Sequence, residues 1–447
     1  MTTQTIEDNV RRGCPLAAYQ SEWRIDTAHG NDRDDGSASH PIQTIAQLVY
    51  RLSWGGVIRP QTSIAVVVSG TIPVTDPLRL PLEASASGSF VLRGERTVVG
   101  SGFISDFVPR STIARHGITL TDIEQDFSTL VDKLIVITAS DTPAHVGAAA
   151  RILATAGPHA CHTTTFSFFD PATTAFAGAT EVVPSIGDAY GVYSLPRIES
   201  DIRIDLDGPV LNIAGLGKTV IADFDIATSQ IGRSSIAVID GGNDRLVIQN
   251  CIQSNGTTIK ANECVFVNHY CLSGQVIVDD GISTQFYGGG SKVNQNWSSG
   301  VTYLRLGFVM QGALLNLFSS ASLQIQDFMS FDWPEMALRL NEGSSVLNFG
   351  TWSGSSAAPG SYPLQIRGGS YTCHDGAVVN NPIHGALGTD FNLNGFASGP
   401  AYARISQWWT ADRDYTWSNL DAAVAAGGFD RAATDPQNGS ASIHVNR

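Results

Sequence analysis

An all-β solenoid, with short strands stacked coil on coil beneath one capping helix, is the fold class this sequence predicts. Three observations predict it. The 447-residue chain holds 45 glycines, is 43% hydrophobic and is only 15% charged, a balance that suits a turn-rich β protein better than a helical or disordered one. Short apolar or alternating runs separated by Gly, Asn, Ser and Asp recur from about 201 to 373. Near the start, an acidic turn leads into an amphipathic helix, the element that an open end of stacked strands needs as a cover.

In chain order, residues 1–22 read as a loosely held leader. Trp23 and Ile25 alternate with Arg24 and Asp26, which fits a half-buried strand. The stretch 29–39 places Gly30, Gly36, Ser37 and Ser39 among Asp32, Asp34 and Asp35. That composition makes a surface turn, either simply solvated or holding a hard cation such as calcium through its carboxylates. Pro41 suits a first helical turn with Ser39 or His40 as cap, and Ile42, Ile45, Leu48, Val49 and Leu52 share one helical face.

The run Gly30-Asn31-Asp32, Asp35-Gly36, Pro41 and Thr44-Ile45 resembles the opening of right-handed parallel β-helix proteins of the pectate-lyase-like superfamily. The resemblance implies a right-handed parallel β-helix behind an N-terminal capping helix. It speaks to architecture and little to chemistry, because one scaffold carries many functions.

Further along, 63–69 (SIAVVVS) and 90–93 (FVLR) read as strands, so 23–121 is expected to form the cap and first coils. From 122 to 195 the texture changes to longer strands with polar loops, which reads as a small β-rich segment inserted into the solenoid. VGAAARI and IGDAYGVYSLP within it resemble a segment of phage-like β-helix proteins. The main β-helix is expected over 196–400, where Asp223, Asn250, Glu263 and Asp327 take equivalent places in a repeated theme and are expected at corners, bonded to backbone. An aromatic-rich cap and tail complete the chain over 401–447, with a helix opening at Ser418 and a frayed tail from Asp435.

Chemistry-bearing clusters are sparse. Asp279-Asp280 matches one element of the polygalacturonase pattern, but His384-Gly385 follows Ile383 and Arg-x-Lys is absent, so the family's catalytic residues do not carry over. Asp327, Asp332 and Glu335 lie near Trp333, and three carboxylates beside an aromatic would suit either a sugar subsite or ordinary turn chemistry. Trp333, Trp408, Trp409 and Trp417 are the candidate sugar platforms, although Trp408, Trp409, Tyr415 and Trp417 could equally seal the solenoid or a subunit interface. Cys251, Cys264 and Cys271 read as buried apolar groups, since no CxxC pair is present.

A net charge of -14 disfavours a nucleic-acid groove, and no run approaches the ~20 apolar residues of a membrane span. Residues 1–14 lack the apolar core of a signal peptide, so synthesis in the cytoplasm is expected. The resemblance implies a non-catalytic structural or glycan-binding component of a phage or phage-derived particle, of tail-spike, fibre or decoration type. Its partners would be other particle proteins and a surface polysaccharide, and its assembly a homotrimer. Residues 301–310 (VTYLRLGFVM) carry more large side chains than alternation needs, as an interface would. A polysaccharide lyase or glycoside hydrolase on the same scaffold is the alternative.

Overall fold

The computed structural model describes residues 22–54, 64–74, 78–80, 89–109, 118–169, 179–200, 211–213, 218–228, 234–238, 245–254, 257–260, 263–273, 276–278, 283–341, 343–355, 362–367, 370–373, 378–380, 391–394, 401–405, 408–410, 413–415 and 441–445. Its body is a parallel β-helix. One coil runs Arg245–Gln249, Ile252–Gln253, Thr257–Lys260, and the next runs Glu263–Val267, Tyr270–Cys271, Val276–Val278 directly beneath it. Each strand pairs in parallel with its counterpart one coil on, as with Leu246↔Cys264↔Thr284↔Thr302↔Leu323↔Val346. Alternation then sends one set of side chains inward, where Ile248, Phe266, Phe286, Leu304 and Ile325 are all buried. Inside the lumen, Phe266 and Phe286 stack at 4.5 Å, Phe286 meets Phe308 at 4.8 Å, and Phe328 meets Trp352 at 5.5 Å. Such ring pairs add about 0.5 to 1.5 kcal/mol each beyond the area they bury.

The first corner turns on one left-handed residue in the coils of Asp223, Asn250 and Asn268, and on a left-handed pair, completed by Gly289 or Gly307, in the two that follow. Asp223, Asn250 and Asn268 have φ of 63°, 54° and 51°, and Gly288 and Leu306 continue the column at 66° and 54°. Asn and Asp tolerate this conformation better than other residues with a side chain. Their side chains form a ladder along the stack: Asn250 Nδ2 donates to Asp223 Oδ1 at 3.1 Å, and Asn268 Nδ2 donates to Asn250 Oδ1 at 3.2 Å. The expected corner set is therefore half right in place and different in bonding, since these groups mainly hold one another. Glu263 is not a corner residue; it opens a strand and faces Arg245 and Ser283. Asp327 does lie between two strand halves, but 326–327 span a gap that 305–307 span one coil earlier, so the turn tightens into a register shift without a left-handed residue.

At the top, Glu22–Asp26 pairs in parallel with Ile64–Ser69, and the helix Ile45–Trp54 covers it. The helix begins at Ile45 and not at Pro41. Asp32 Oδ1 accepts the Gln43 and Thr44 amides at 3.0 and 2.8 Å, and Thr44 Oγ1 accepts the Gln47 amide at 3.1 Å, so Thr44 is the cap. Ile42 is thereby freed from the helix to bridge Ile25, and Ile42, Ile45 and Leu48 are buried over the first coils. Gly36, with φ of 82°, lies so near the Trp23 ring that a Cβ would sit 2.5 Å from it.

The antiparallel body runs from Thr97 to Ser194 and so begins earlier than the expected 122. Thr97–Phe103 falls within the 23–121 expected as cap and first coils, yet it pairs antiparallel with Ala189–Ser194, while Asp106–Val108 pairs with Ile118–Thr121 at the other end of the sheet. One continuous segment thus joins both ends of the 9-stranded sheet around a separate core that includes Phe127, Ile135, Ile137, Ile152 and Tyr190. The body departs after Gly94 and returns at Arg197, the successive strands of one coil, so it replaces a corner. A Cβ on Gly94 would come within 2.1 Å of the Asp223 carbonyl and 2.5 Å of Pro196.

From that corner the body packs down over the ladder. Phe169 and Ala179 bury the outward Val220, Val247, Val265 and Val267, and Leu153 packs with Tyr270, Val309 and Met329 on the other side of the corner. Between them, Thr164 Oγ1 donates to Asn268 Oδ1 at 3.1 Å and the fully buried Arg151 donates from Nη2 to the Asn250 carbonyl at 2.8 Å. Arg96 Nη2 meets Asp223 Oδ1 at 2.8 Å, and Lys292 Nζ meets Asp132 Oδ1 at 2.7 Å.

Toward the C-terminus, Trp408–Thr410 forms a strand that pairs antiparallel with Arg413–Tyr415, Trp408 opposite Tyr415. The segment expected as a frayed tail contributes the strand Ala441–Val445, parallel to Ala401–Ile405. The helix expected from Ser418 lies outside the described residues. Among the described residues, no helix is long and apolar enough to cross a membrane.

Candidate functional site

The residues that composition singled out do not converge. Asp279, Asp280, Trp417 and His384 lie outside the described residues, and of Trp408 and Trp409 only the strand is described. Trp333 is fully buried in the solenoid core and cannot stack a sugar; the apolar run after it, beginning at Met336, draws the indole inward. Asp332 is exposed at a left-handed turn with φ of 54°, Glu335 pairs with Arg339 at 3.7 Å, and Asp327 lies in its strand. In the acidic loop, Asp32 is occupied with the helix start and Asp35 Oδ1 accepts the Ser37 amide at 2.9 Å. Among the described residues, no group of three or more His, Cys, Asp or Glu is placed to hold a metal ion.

Two other constellations hold nucleophilic residue types. Ser140 Oγ lies 3.5 Å from His145 Nδ1, and Asp188 Oδ2 lies 3.0 Å from the same nitrogen. A nucleophile and its orienting carboxylate must use opposite ring nitrogens, so this is no relay. It ties a turn together: burial pushes the Asp188 carboxyl up, while the Ser140 hydroxyl, the Ser185 amide and His145 more than offset that and leave it below the ordinary value. The buried thiols are likewise quiet, with burial pushing Cys251 and Cys271 up to about 12.

Outward side chains with binding chemistry, Gln285, Tyr303, Gln324 and Arg305, lie on the first strands beside the part buried with Phe169, which includes Val265, Val267 and Tyr287. Register places Val265, Gln285, Tyr303, Gln324 and Leu347 in one outward column, and Val267, Tyr287 and Arg305 in the next. Rungs of a sheet repeat at about 4.8 Å, so neighbours in a column contact one another. The Arg305 guanidinium carbon lies 5.3 Å from the centre of the Tyr303 ring and 5.5 Å from that of Tyr287. Tyr287 donates from its hydroxyl to Gln285 Oε1 at 3.0 Å, which fixes that ring. Burial pushes the Tyr287 phenol up, with the Arg305 charge opposing. Arg305 Nε is buried with no hydrogen-bond partner, and among the described residues no carboxylate pairs with this side chain.

Half-buried Tyr303 offers a flat apolar face, and Gln285, Gln324 and Arg305 surround it with amide and guanidinium groups. That is the composition of a sugar-binding surface: an aromatic plane for C–H groups and polar groups for hydroxyls. The sequence held a signal for it. In 301–310 the surplus of large residues, read as interface material, reflects Tyr303 and Arg305 facing out while Leu304 and Phe308 face in.

No family model matches the chain, and no curated protein is similar to it. Among solved structures, one described as a glycoside hydrolase is similar over 95% of this chain and 97% of its own, at 10% identity and a TM-score of 0.34. The tailspike protein gp49 from Pseudomonas phage LKA1 is similar over 82% of this chain and 71% of its own, at 10% identity and a TM-score of 0.27. The GH136 lacto-N-biosidase from Eubacterium ramulus is similar over 99% of this chain and 70% of its own, at 8% identity and a TM-score of 0.32. The architecture itself rests on the strand register described above.

Proposed function

We propose that this chain is a non-catalytic, glycan-binding β-helix component of a phage or phage-derived particle, and that it meets its glycan at Tyr303 and Arg305, with the buried Tyr287 packed against the guanidinium. The observation that carries the reading is the guanidinium held 5.3 and 5.5 Å from two tyrosine rings on a rigid outward sheet face. Binding without cleavage is supported by the engagement of Glu335 with Arg339 and by the burial of Trp333 away from any sugar. The particle setting is supported by the resemblance of the segments at 146–152 and 186–196 to phage-like β-helix proteins. Three chains around an axis follow from that setting, and light scattering of the purified protein tests the number.

The experiment is a screen of immobilised bacterial surface polysaccharides against the wild-type protein and Tyr303→Ala. Retention of at least one polysaccharide is expected, with Tyr303→Ala weakening it about 10-fold, the size of one lost aromatic contact. Sizing the polysaccharide after incubation reads cleavage: shortened chains would replace this reading with a lyase or hydrolase.

A further inference from the structure

Resting on the reading of several chains in one assembly, we infer that an apolar strip along 97–108 of the inserted body meets the same strip in a second copy of this chain. Among the described residues, the five most exposed large apolar side chains are Ile123 at 70%, Phe103 at 66%, Ile186 at 64%, Val98 at 59% and Val108 at 58%, and Val99 lies on the same strand at 43%. All six belong to the inserted body. Their backbones are tied together, since the Ile104 amide donates to the Asp188 carbonyl at 3.0 Å, the Gly187 amide to the Ile104 carbonyl at 2.8 Å and the Ser105 amide to the Thr121 carbonyl at 2.9 Å. Asp122, only 4% exposed, accepts the Phe103 and Glu124 amides and the Tyr190 hydroxyl at 3.1, 2.9 and 2.6 Å. The apolar groups are therefore presented on a fixed frame.

Composition and charge say which partner fits. The strand keeps its small residues inside, for a Cβ on Gly102 would overlap the Asp122 carboxylate, and turns its large ones out. Thr97–Phe103 carries no charge and no proline, the usual guards of an outer strand, and Ala189–Ser194 is its one partner among the described strands. No lysine or arginine lies in 97–108, 121–124 or 185–188, so a membrane headgroup or a nucleic acid finds no cation there. Two copies that each carry a net charge of -14 repel one another, and they approach at least cost through a strip in which Asp106 is the one charge and Glu124 a neighbour. Six large side chains at these exposures offer roughly 600 Å² of surface, so two facing strips would bury about 1,200 Å² in all, the low end of specific interfaces.

Sedimentation equilibrium of the full chain over a range of concentrations, with circular dichroism as the check on folding, tests this. Wild-type protein should associate, and Phe103→Ser combined with Ile186→Ser should raise the dissociation constant 10-fold or more. Val98→Glu and Val98→Lys should each weaken association alone, and an equimolar mixture of the two should restore it, because opposite charges then face each other across the contact. Unchanged association in the folded serine and lysine variants overturns the strip and leaves the assembly reading standing. Charge variants that dissociate singly and do not recover when mixed overturn the like-to-like contact. Wild-type protein that stays monomeric at every concentration overturns the assembly reading as well.

Discussion

Asn250 does three things at once: it adopts a left-handed backbone, donates to Asp223 and accepts from Asn268. Replacing it by Ala loses both hydrogen bonds and strains the backbone, for a loss of about 2 to 4 kcal/mol in denaturant unfolding. Asn250→Gly keeps the backbone at ease and should lose less; equal losses would refute the conformational part of the argument. His269, next to Asn268 in the chain, is fully buried, and that burial, with the Arg151 charge adding, pushes its pKa from 6.5 down to about 3. The folded chain therefore holds this imidazole neutral where the unfolded chain takes up a proton. Its contribution is complete above pH 6.5 and is lost as pH falls toward 3, at up to about 1.4 kcal/mol per pH unit. Melting temperatures measured from pH 6.5 to 4.5 should fall in the wild type and fall less in His269→Gln. An equal slope in the variant would assign the effect to other groups. The corner column was partly legible: Asp223 and Asn250 stood out in the repeated theme, but Asn268 in VNHY did not match it and was missed.

The capping helix was foreseen from its apolar spacing, while its first residue was not. Pro41 suits a helix start in isolation, yet Ile42 gains more by bridging Ile25, and Asp32 reaches across the loop to fix Thr44 as cap. The inserted body was foreseen from a change of texture at 122, but the strand before it, Thr97–Phe103, has only local alternation to show and its partner is Ala189–Ser194, far along the chain. Pairing choice of that kind is not encoded nearby. The body is tied to the coil next to the one it leaves by Arg96 and Asp223, whose carboxylate is only 3% exposed. Arg96→Ala leaves that charge with Asn250 alone and should cost about 1 to 3 kcal/mol, less than a fully buried pair because Arg96 itself reaches solvent. Asp223→Asn introduced into Arg96→Ala should restore most of the loss, since the stranded charge is then gone. A double-mutant cycle by chemical denaturation measures it, and simple additivity would refute the coupling.

The solenoid and the inserted body form one hydrophobic assembly across the corner, with Phe169 and Ala179 over Val220, Val247, Val265 and Val267, and Leu153 over Val309 and Met329. Replacing 96–195 by a short turn is sterically simple, because Gly94 and Arg197 belong to successive strands of one coil, but it uncovers those valines. The shortened protein should bind a hydrophobic dye strongly and aggregate, and changing Val247 and Val265 to Thr should reduce both effects. A shortened protein that stays monodisperse and dye-silent would show that the body is not a cover. Composition, strand length and the amphipathic helix were enough to fix an all-β solenoid with a cap and an insertion, because alternation and turn residues act within a few positions of each other. Where the insertion begins, that Trp333 points inward, that Glu263 is no corner and that Arg305 lies against two tyrosines depend on which strands stack in register. Register joins residues tens of positions apart through the packing of a shared core, and local sequence carries no record of that choice.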